Sequence, residues 1–179
     1  VELILDLWTV EQDHTQSPYL FERDTWRKED TLTHKGKGNP VAPTGMTWSG
    51  FRPSDDACQY GYLIPSNMFA VVVLSYLETL YSNLFHNKQV AHRAKILKEA
   101  IQSGIANHAL VQNSKGETIY AYEVDGLGHF SIMDDANIPS LLAAPYLGFC
   151  AKDDPIYLAT RRTIPVSYTH LRAHETRHD

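Results

Sequence analysis

The sequence is poor in cysteine, in basic clusters and in long apolar runs, and each shortage removes a class of protein. Two cysteines in 179 residues, Cys58 and Cys150, make no disulfide framework. Two buried thiols are expected instead, which leans toward a reducing compartment. Lys and Arg number 16 against 21 Asp and Glu, for a net charge of −5, and no basic cluster stands in the body of the chain. Nucleic acid and anionic membrane surfaces therefore find no electrostatic footprint. No run approaches the roughly 18 apolar residues of a membrane span, and Val71-Val72-Val73-Leu74 is the densest patch. Apolar residues still make up 43% of the chain, enough for a sizeable core and too many for disorder. A neutral, hydroxylated ligand such as an oligosaccharide fits this balance. The chain opens on Val1 inside an apolar, helix-like pattern, so residues upstream are expected and nothing follows about export.

What is present reads mainly as helix. Residues 1–14 carry Leu3, Ile4, Leu7, Trp8 and Val10 at three- and four-residue spacing, predicting a helix buried along one face, with Glu11, Gln12 and His14 at its polar end. Residues 15–65 hold five of the ten glycines and five of the nine prolines and show no helical period. A small β-hairpin is expected over 31–46, turning at Gly36-Lys-Gly-Asn-Pro40. Phosphate cradling by those glycines is disfavoured, since no Gly-Lys-Ser/Thr string follows. Residues 66–85 predict a helix capped by Ser66 and apolar all round in its first half, as an inner helix would be. Its partner spans 87–110, with Val90, Ala94, Leu97, Ile101 and Ile105 as the inward stripe. Gly104 lies in that pattern and suggests a bend or the close approach of a neighbour. Asn113-Ser-Lys-Gly-Glu117 signals a hairpin turn, and helices are expected from Pro139 and Ser140 and again after Asp153-Asp-Pro155. Buried helix, polar loop, outer helix and polar loop recur as in a toroid of helical hairpins.

The chemistry is concentrated in Gly45-Met-Thr-Trp-Ser-Gly-Phe-Arg-Pro-Ser-Asp-Asp-Ala-Cys-Gln-Tyr-Gly-Tyr-Leu-Ile-Pro-Ser-Asn67. Trp48 can stack on a sugar ring, Ser49, Arg52 and Asn67 can hydrogen-bond hydroxyls, and Asp55 or Asp56 can protonate a leaving oxygen. The plainer reading of Ser54-Asp55-Asp56 is a helix N-terminus, capped by Ser54 with two acids facing the dipole. A second polar cluster holds Asp125, Asp134, Asp135 and Asn137. A calcium loop is its rival, but no Asp-x-Asp-x-Asp-Gly spacing or distal glutamate accompanies it.

The long motif, together with Glu11-Gln-Asp-His14, Ser17-Pro-Tyr-Leu-Phe-Glu-Arg23, Glu123-Val-Asp-Gly-Leu-Gly128 and Met133-Asp-Asp-Ala-Asn-Ile-Pro-Ser-Leu-Leu142, resembles glycoside hydrolase family 125 over residues 1–164. The resemblance implies a mainly α fold, part of an (α/α)6 barrel with small β-hairpins in its loops. It implies exo-acting, inverting hydrolysis of terminal α-1,6-linked mannose from an oligosaccharide, with no metal or cofactor. By the same resemblance Asp55 or Asp56 is the general acid, Trp48, Ser49, Arg52, Asn67, Asp134, Asp135 and Asn137 shape the substrate pocket, and the general base is a distant glutamate that this chain does not reach. Residues 1–164 are then a fragment of one catalytic domain, expected to be inactive alone. The alternative is a carbohydrate-binding protein without hydrolysis.

Residues 165–179 break the pattern, with three of the nine histidines in the last ten positions, and resemble a translated cloning adapter rather than a native segment. Their His174-Glu-Thr-Arg-His178 matches a zinc-peptidase motif but has no third ligand and no supporting helix.

Overall fold

The computed structural model describes residues 1–135 and 137–164; the histidine motif at 174–178 lies outside them. Its two longest elements, α3 (Ile64–Asn83) and α4 (Lys88–His108), pack along each other. Helix α4 begins where Asn87 accepts a hydrogen bond from Val90 N at 3.1 Å, and its whole expected stripe, Val90, Ala94, Leu97, Ile101 and Ile105, is buried. Each large member contributes roughly 2 kcal/mol by leaving water. Together they outweigh the penalty of about 1 kcal/mol for Gly104 in mid-helix. That glycine admits a neighbour: a Cβ there would meet the Thr44 carbonyl oxygen at 2.6 Å and Met46 Cγ at 2.7 Å.

Helix α3 is buried through most of its first half, as expected. Ser66 is not its cap. Strand β1 (Tyr62–Leu63) runs directly into the helix, Ile64 N donates to the Tyr122 carbonyl at 2.9 Å, and Pro65 occupies the first turn, so the helix starts two residues earlier without a hydroxyl.

Helix α1 (Glu2–Val10) forms, but the apolar face expected to be buried is largely exposed. Leu5 is buried and Trp8 packs against the core, whereas Leu3 is 84% and Leu7 55% exposed, because the described elements cover only the side of α1 that faces α4. Helix α1 then passes into 3-10 turns over Glu11–Gln16.

No hairpin forms over 31–46. A short 3-10 turn (Lys28–Asp30) precedes this segment, and within it the chain makes the four-residue α2 (Thr33–Gly36), in which His34, Lys35 and Gly36 all have positive φ, followed by Gly38 at φ +80. Such a run curls the backbone too tightly for a paired strand. It is held instead by Phe21 N donating to the Gly36 carbonyl at 3.0 Å and Leu32 N donating to the Phe21 carbonyl at 3.3 Å.

The expected hairpin at Asn113 is present as β2 (Leu110–Gln112) and β3 (Thr118–Tyr120), closed by Asn113 Oδ1, which accepts from Lys115 N and Glu117 N at 2.9 Å each. Strands β4 (Glu123–Val124) and β5 (Phe130–Ser131) join β1 in an antiparallel sheet ordered β1-β4-β5, pairing Leu63 with Glu123 and Glu123 with Ser131. No helix begins at Pro139 and Ser140. The amides of Leu141 and Leu142 donate to Asp134 and that of Ala143 to Ser140 Oγ, so helical bonding starts only at α5 (Ala144–Leu147). Residues 155–164 are helical, with Asp154 Oδ1 accepting from Tyr157 N at 2.8 Å as an N-cap does. Cys58 is buried, Cys150 partly so, and both are free thiols.

Candidate active site

The short sheet brings the two polar stretches of the sequence together. Arg52 Nε donates to Glu123 Oε1 at 2.6 Å across 71 positions, and Glu123, with no exposed surface, also accepts from Gln59 N at 3.0 Å and Tyr60 N at 3.2 Å. The Arg52 guanidinium lies over the Tyr122 ring at 5.7 Å, and Tyr60 stacks on His129 at 6.1 Å. Burial opposes the Arg52 charge, but the hydrogen bond and charge of Glu123 more than offset it and leave its pKa above the ordinary value. Burial, with Glu123 nearby, also pushes the Cys58 thiol well up, so this cysteine stays protonated and inert. Glu123 is the residue that reading the sequence passed over as a site member. Its signals there are its place at the head of Glu123-Val-Asp-Gly-Leu-Gly128 and an acid set between Tyr122 and Val124 in a β-prone run.

Ser54-Asp55-Asp56 caps no helix. Phe51 bridges to Ala57, Asp55 N donates to the Arg52 carbonyl at 3.0 Å and Arg52 N to the Asp56 carbonyl at 2.8 Å, which makes residues 52–56 a tight hairpin tip. Pro53 fixes one φ of that turn, and Asp55 takes the left-handed position at φ +68 that such three-residue loops require. Asp55 is exposed, while Asp56 is partly covered with Oδ1 3.8 Å from Arg27 Nη2. The structure offers no helix dipole to separate the two carboxyls.

The expected binding residues of the long motif fall into three places. Arg52 lines a cavity of about 390 Å3 with Lys28, Thr33, Asn39 and Gln59, and among the described residues only its Nε is hydrogen-bonded, leaving the terminal amino groups available. Trp48 and Ser49 line a second cavity of about 250 Å3 with Glu11, Tyr19 and Ser66. Asn67 faces neither. It has no exposed surface and donates to the Thr47 and Leu63 carbonyls at 3.0 Å while accepting from Thr47 N at 2.9 Å, so it braces the strip that carries Trp48 instead of being presented to a sugar. A larger cavity of about 470 Å3 between α3, α4 and Phe149 is walled mainly by apolar groups and holds none of the expected residues.

The second cluster is built as loop scaffolding. Asp134 is buried, accepts from Leu141 N at 2.8 Å and Leu142 N at 2.9 Å, and is pushed by burial up to about 6 despite those bonds. Asp135 Oδ1 accepts from Asn137 N at 3.0 Å and Asn137 Nδ2 at 3.1 Å, and Asn137 is exposed. Burial raises the Asp125 carboxyl, and the Leu127 amide with the amide and ring of His129 overcome this and hold it below the usual value. With its lone pairs so used, Asp125 has little left for a cation.

Comparison with known proteins adds three findings. A family model described as metal-independent α-mannosidase (GH125) matches residues 1–169, running past the boundary expected at Ile164. The Meiotically up-regulated gene 157 protein of Schizosaccharomyces pombe is 46% identical over 147 residues, which is 82% of this chain and 29% of the yeast protein. A solved Streptococcus pneumoniae structure from a family described as metal-independent alpha mannosidases, a non-productive substrate complex with alpha-1,6-mannobiose, is 65% identical with a TM-score of 0.89 and covers 91% of this chain and 39% of its own. The chain thus spans well under half the length of these relatives. The mainly α architecture with small antiparallel sheets accords with an α-helical barrel-type fold. On the family match and this likeness, the chain belongs to glycoside hydrolase family 125, the metal-independent α-mannosidases.

Proposed function

We propose that this chain is a segment of an exo-acting α-mannosidase that removes terminal α-1,6-linked mannose with inversion, and that it supplies one wall of the sugar site. The observation that carries the reading is the junction of Arg52 with Glu123, which fixes the 48–60 motif against strands β4 and β5 and leaves the terminal amino groups of the guanidinium at a cavity. Neutral sugars are recognised by such fixed polar groups beside aromatic faces. Asp55 or Asp56 is the general acid, on a turn whose backbone is locked by Pro53 and two hydrogen bonds. The base is a glutamate outside this chain, set roughly 6.5–9.5 Å across the ring so that water fits between. Glu123 and Glu11 are unsuited to that role, since each is buried and already engaged by two or more donors. Asp134, Asp135 and Asn137 shape the neighbouring loop of the substrate pocket.

The test is Asp55→Asn and Asp56→Asn, made singly in the complete enzyme and assayed by NMR on α-1,6-mannobiose. One substitution is expected to lower kcat about 10²- to 10⁴-fold, and the wild type to release β-mannose first. Full activity in both variants would remove these acids from the mechanism. Binding of mannobiose without any wild-type cleavage would favour the carbohydrate-binding alternative.

A further inference from the structure

The polar end of α1 is buried against the segment that carries Trp48. Glu11 and His14 are 6% and 4% exposed. One Glu11 oxygen accepts from Ser17 Oγ at 2.5 Å and the other lies 2.6 Å from His14 Nδ1, while His14 Nε2 lies 2.8 Å from the Lys37 carbonyl oxygen. Both ring nitrogens stand within hydrogen-bond distance of an oxygen, so the ring cannot turn without losing a contact.

Trp48 lies flat on this ring, with centroids 3.4 Å apart and planes 8° from parallel, and its backbone amide donates to the Glu11 carbonyl at 3.0 Å. Glycines bound the edges of the indole: a Cβ at Gly61 would come within 2.5 Å of Nε1, and one at Gly38 within 2.9 Å of the benzo ring. The indole therefore has one orientation, and it borders the 250 Å3 cavity beside Ser49 and Tyr19. An apolar side chain would support an indole at less cost than a buried carboxylate–imidazole pair, whose desolvation is expensive. What the pair adds is a platform whose tilt is set by hydrogen bonds at both ends.

We propose that His14, oriented by Glu11 and the Lys37 carbonyl, is a positioning residue that holds the Trp48 indole as a sugar-stacking wall of the smaller cavity. This rests on the reading of the chain as part of a mannoside site.

The experiment is a double-mutant cycle in the complete enzyme, using α-1,6-mannobiose as probe: His14→Ala, Trp48→Ala and the pair, with Glu11→Gln as a milder variant should His14→Ala fail to fold. His14→Ala is expected to raise KM about three- to tenfold, the size of one aromatic stack, with kcat within about twofold. Glu11→Gln should move KM the same way by less. In the Trp48→Ala background the effect of His14→Ala should vanish, and tryptophan fluorescence should change in His14→Ala but not between the Trp48→Ala single and double variants. An unchanged KM, or a His14→Ala effect undiminished without Trp48, overturns the proposal while leaving mannosidase activity standing. A wild-type enzyme that neither binds nor cleaves mannobiose overturns the mannoside reading and this proposal with it.

Discussion

Helices α3 and α4 and the segment 17–61 lie in one core yet are held by different means. The helices are fixed by repetition: Val90, Leu97, Ile101 and Ile105 each contribute a similar increment around the small Ala94, and loss of one leaves the others. The segment is fixed by single contacts without a substitute, such as Arg52 to Glu123, Ala57 N to the Glu29 carbonyl at 2.7 Å, and Ala42 N to the Asp125 carbonyl at 2.8 Å. Redundant apolar packing tolerates change in proportion to volume. A web of one-off polar contacts fails locally and sharply, because each broken contact leaves a buried group unpaired.

The sharpest way to test that contrast is Glu123→Ala, which strands Arg52 and the amides of Gln59 and Tyr60 together. It should cost about 3–5 kcal/mol, the usual penalty for breaking a buried pair from one side. Hydrogen exchange should show the loss in residues 48–60 while α3 and α4 stay protected; uniform loss would mean that the two regions share one cooperative unit. A smaller effect is expected from Gly104→Ala, which crosses the boundary between the regions. Helix propensity favours alanine by up to about 1 kcal/mol, but the Thr44 carbonyl and Met46 stand within 2.7 Å of the new methyl. Net destabilisation of about 1–2 kcal/mol in thermal melts is expected from the overpacking; a stabilised variant would show that the 44–46 strip yields freely.

The smallest effect concerns pH. Asp134 has its carboxyl raised by burial to about 6, above its unfolded value, so the folded state binds the extra proton. Its contribution is therefore present below the ordinary carboxylate range and is lost as pH rises through about 6. Asp134→Asn should flatten the dependence of Tm on pH over that window. An unchanged slope would assign the dependence to other groups.

These differences also decide what could be read from the chain alone. The α3–α4 pair, the hairpin at Asn113 and the helix after Asp154 were legible because periodicity, turn chemistry and caps are local. The segment 31–46 was not, since His34 and Lys35 adopt left-handed backbone that their side chains do not announce, and only Phe21 explains why. Ser54-Asp55-Asp56 carries the composition of a helix cap and becomes a hairpin tip because Phe51 finds Ala57. Of the candidate site, Arg52 and Trp48 each line a cavity. Glu123 was hidden because its partner is 71 positions away, and Asn67 looked like a ligand for sugar because an amide's engagement with backbone is invisible until the fold is known.

The glycine seam between α4 and the 44–46 strip has a mechanical meaning. Gly104 packs against the Thr44 carbonyl and Met46, and a Cβ at Gly45 would stand 2.9 Å from the Ala100 carbonyl oxygen, so the two backbones are in close contact. The two pieces are geared together: a tilt of α4 would press on the 44–46 strip with little room to absorb it, next to Thr47 and Trp48 in the chain.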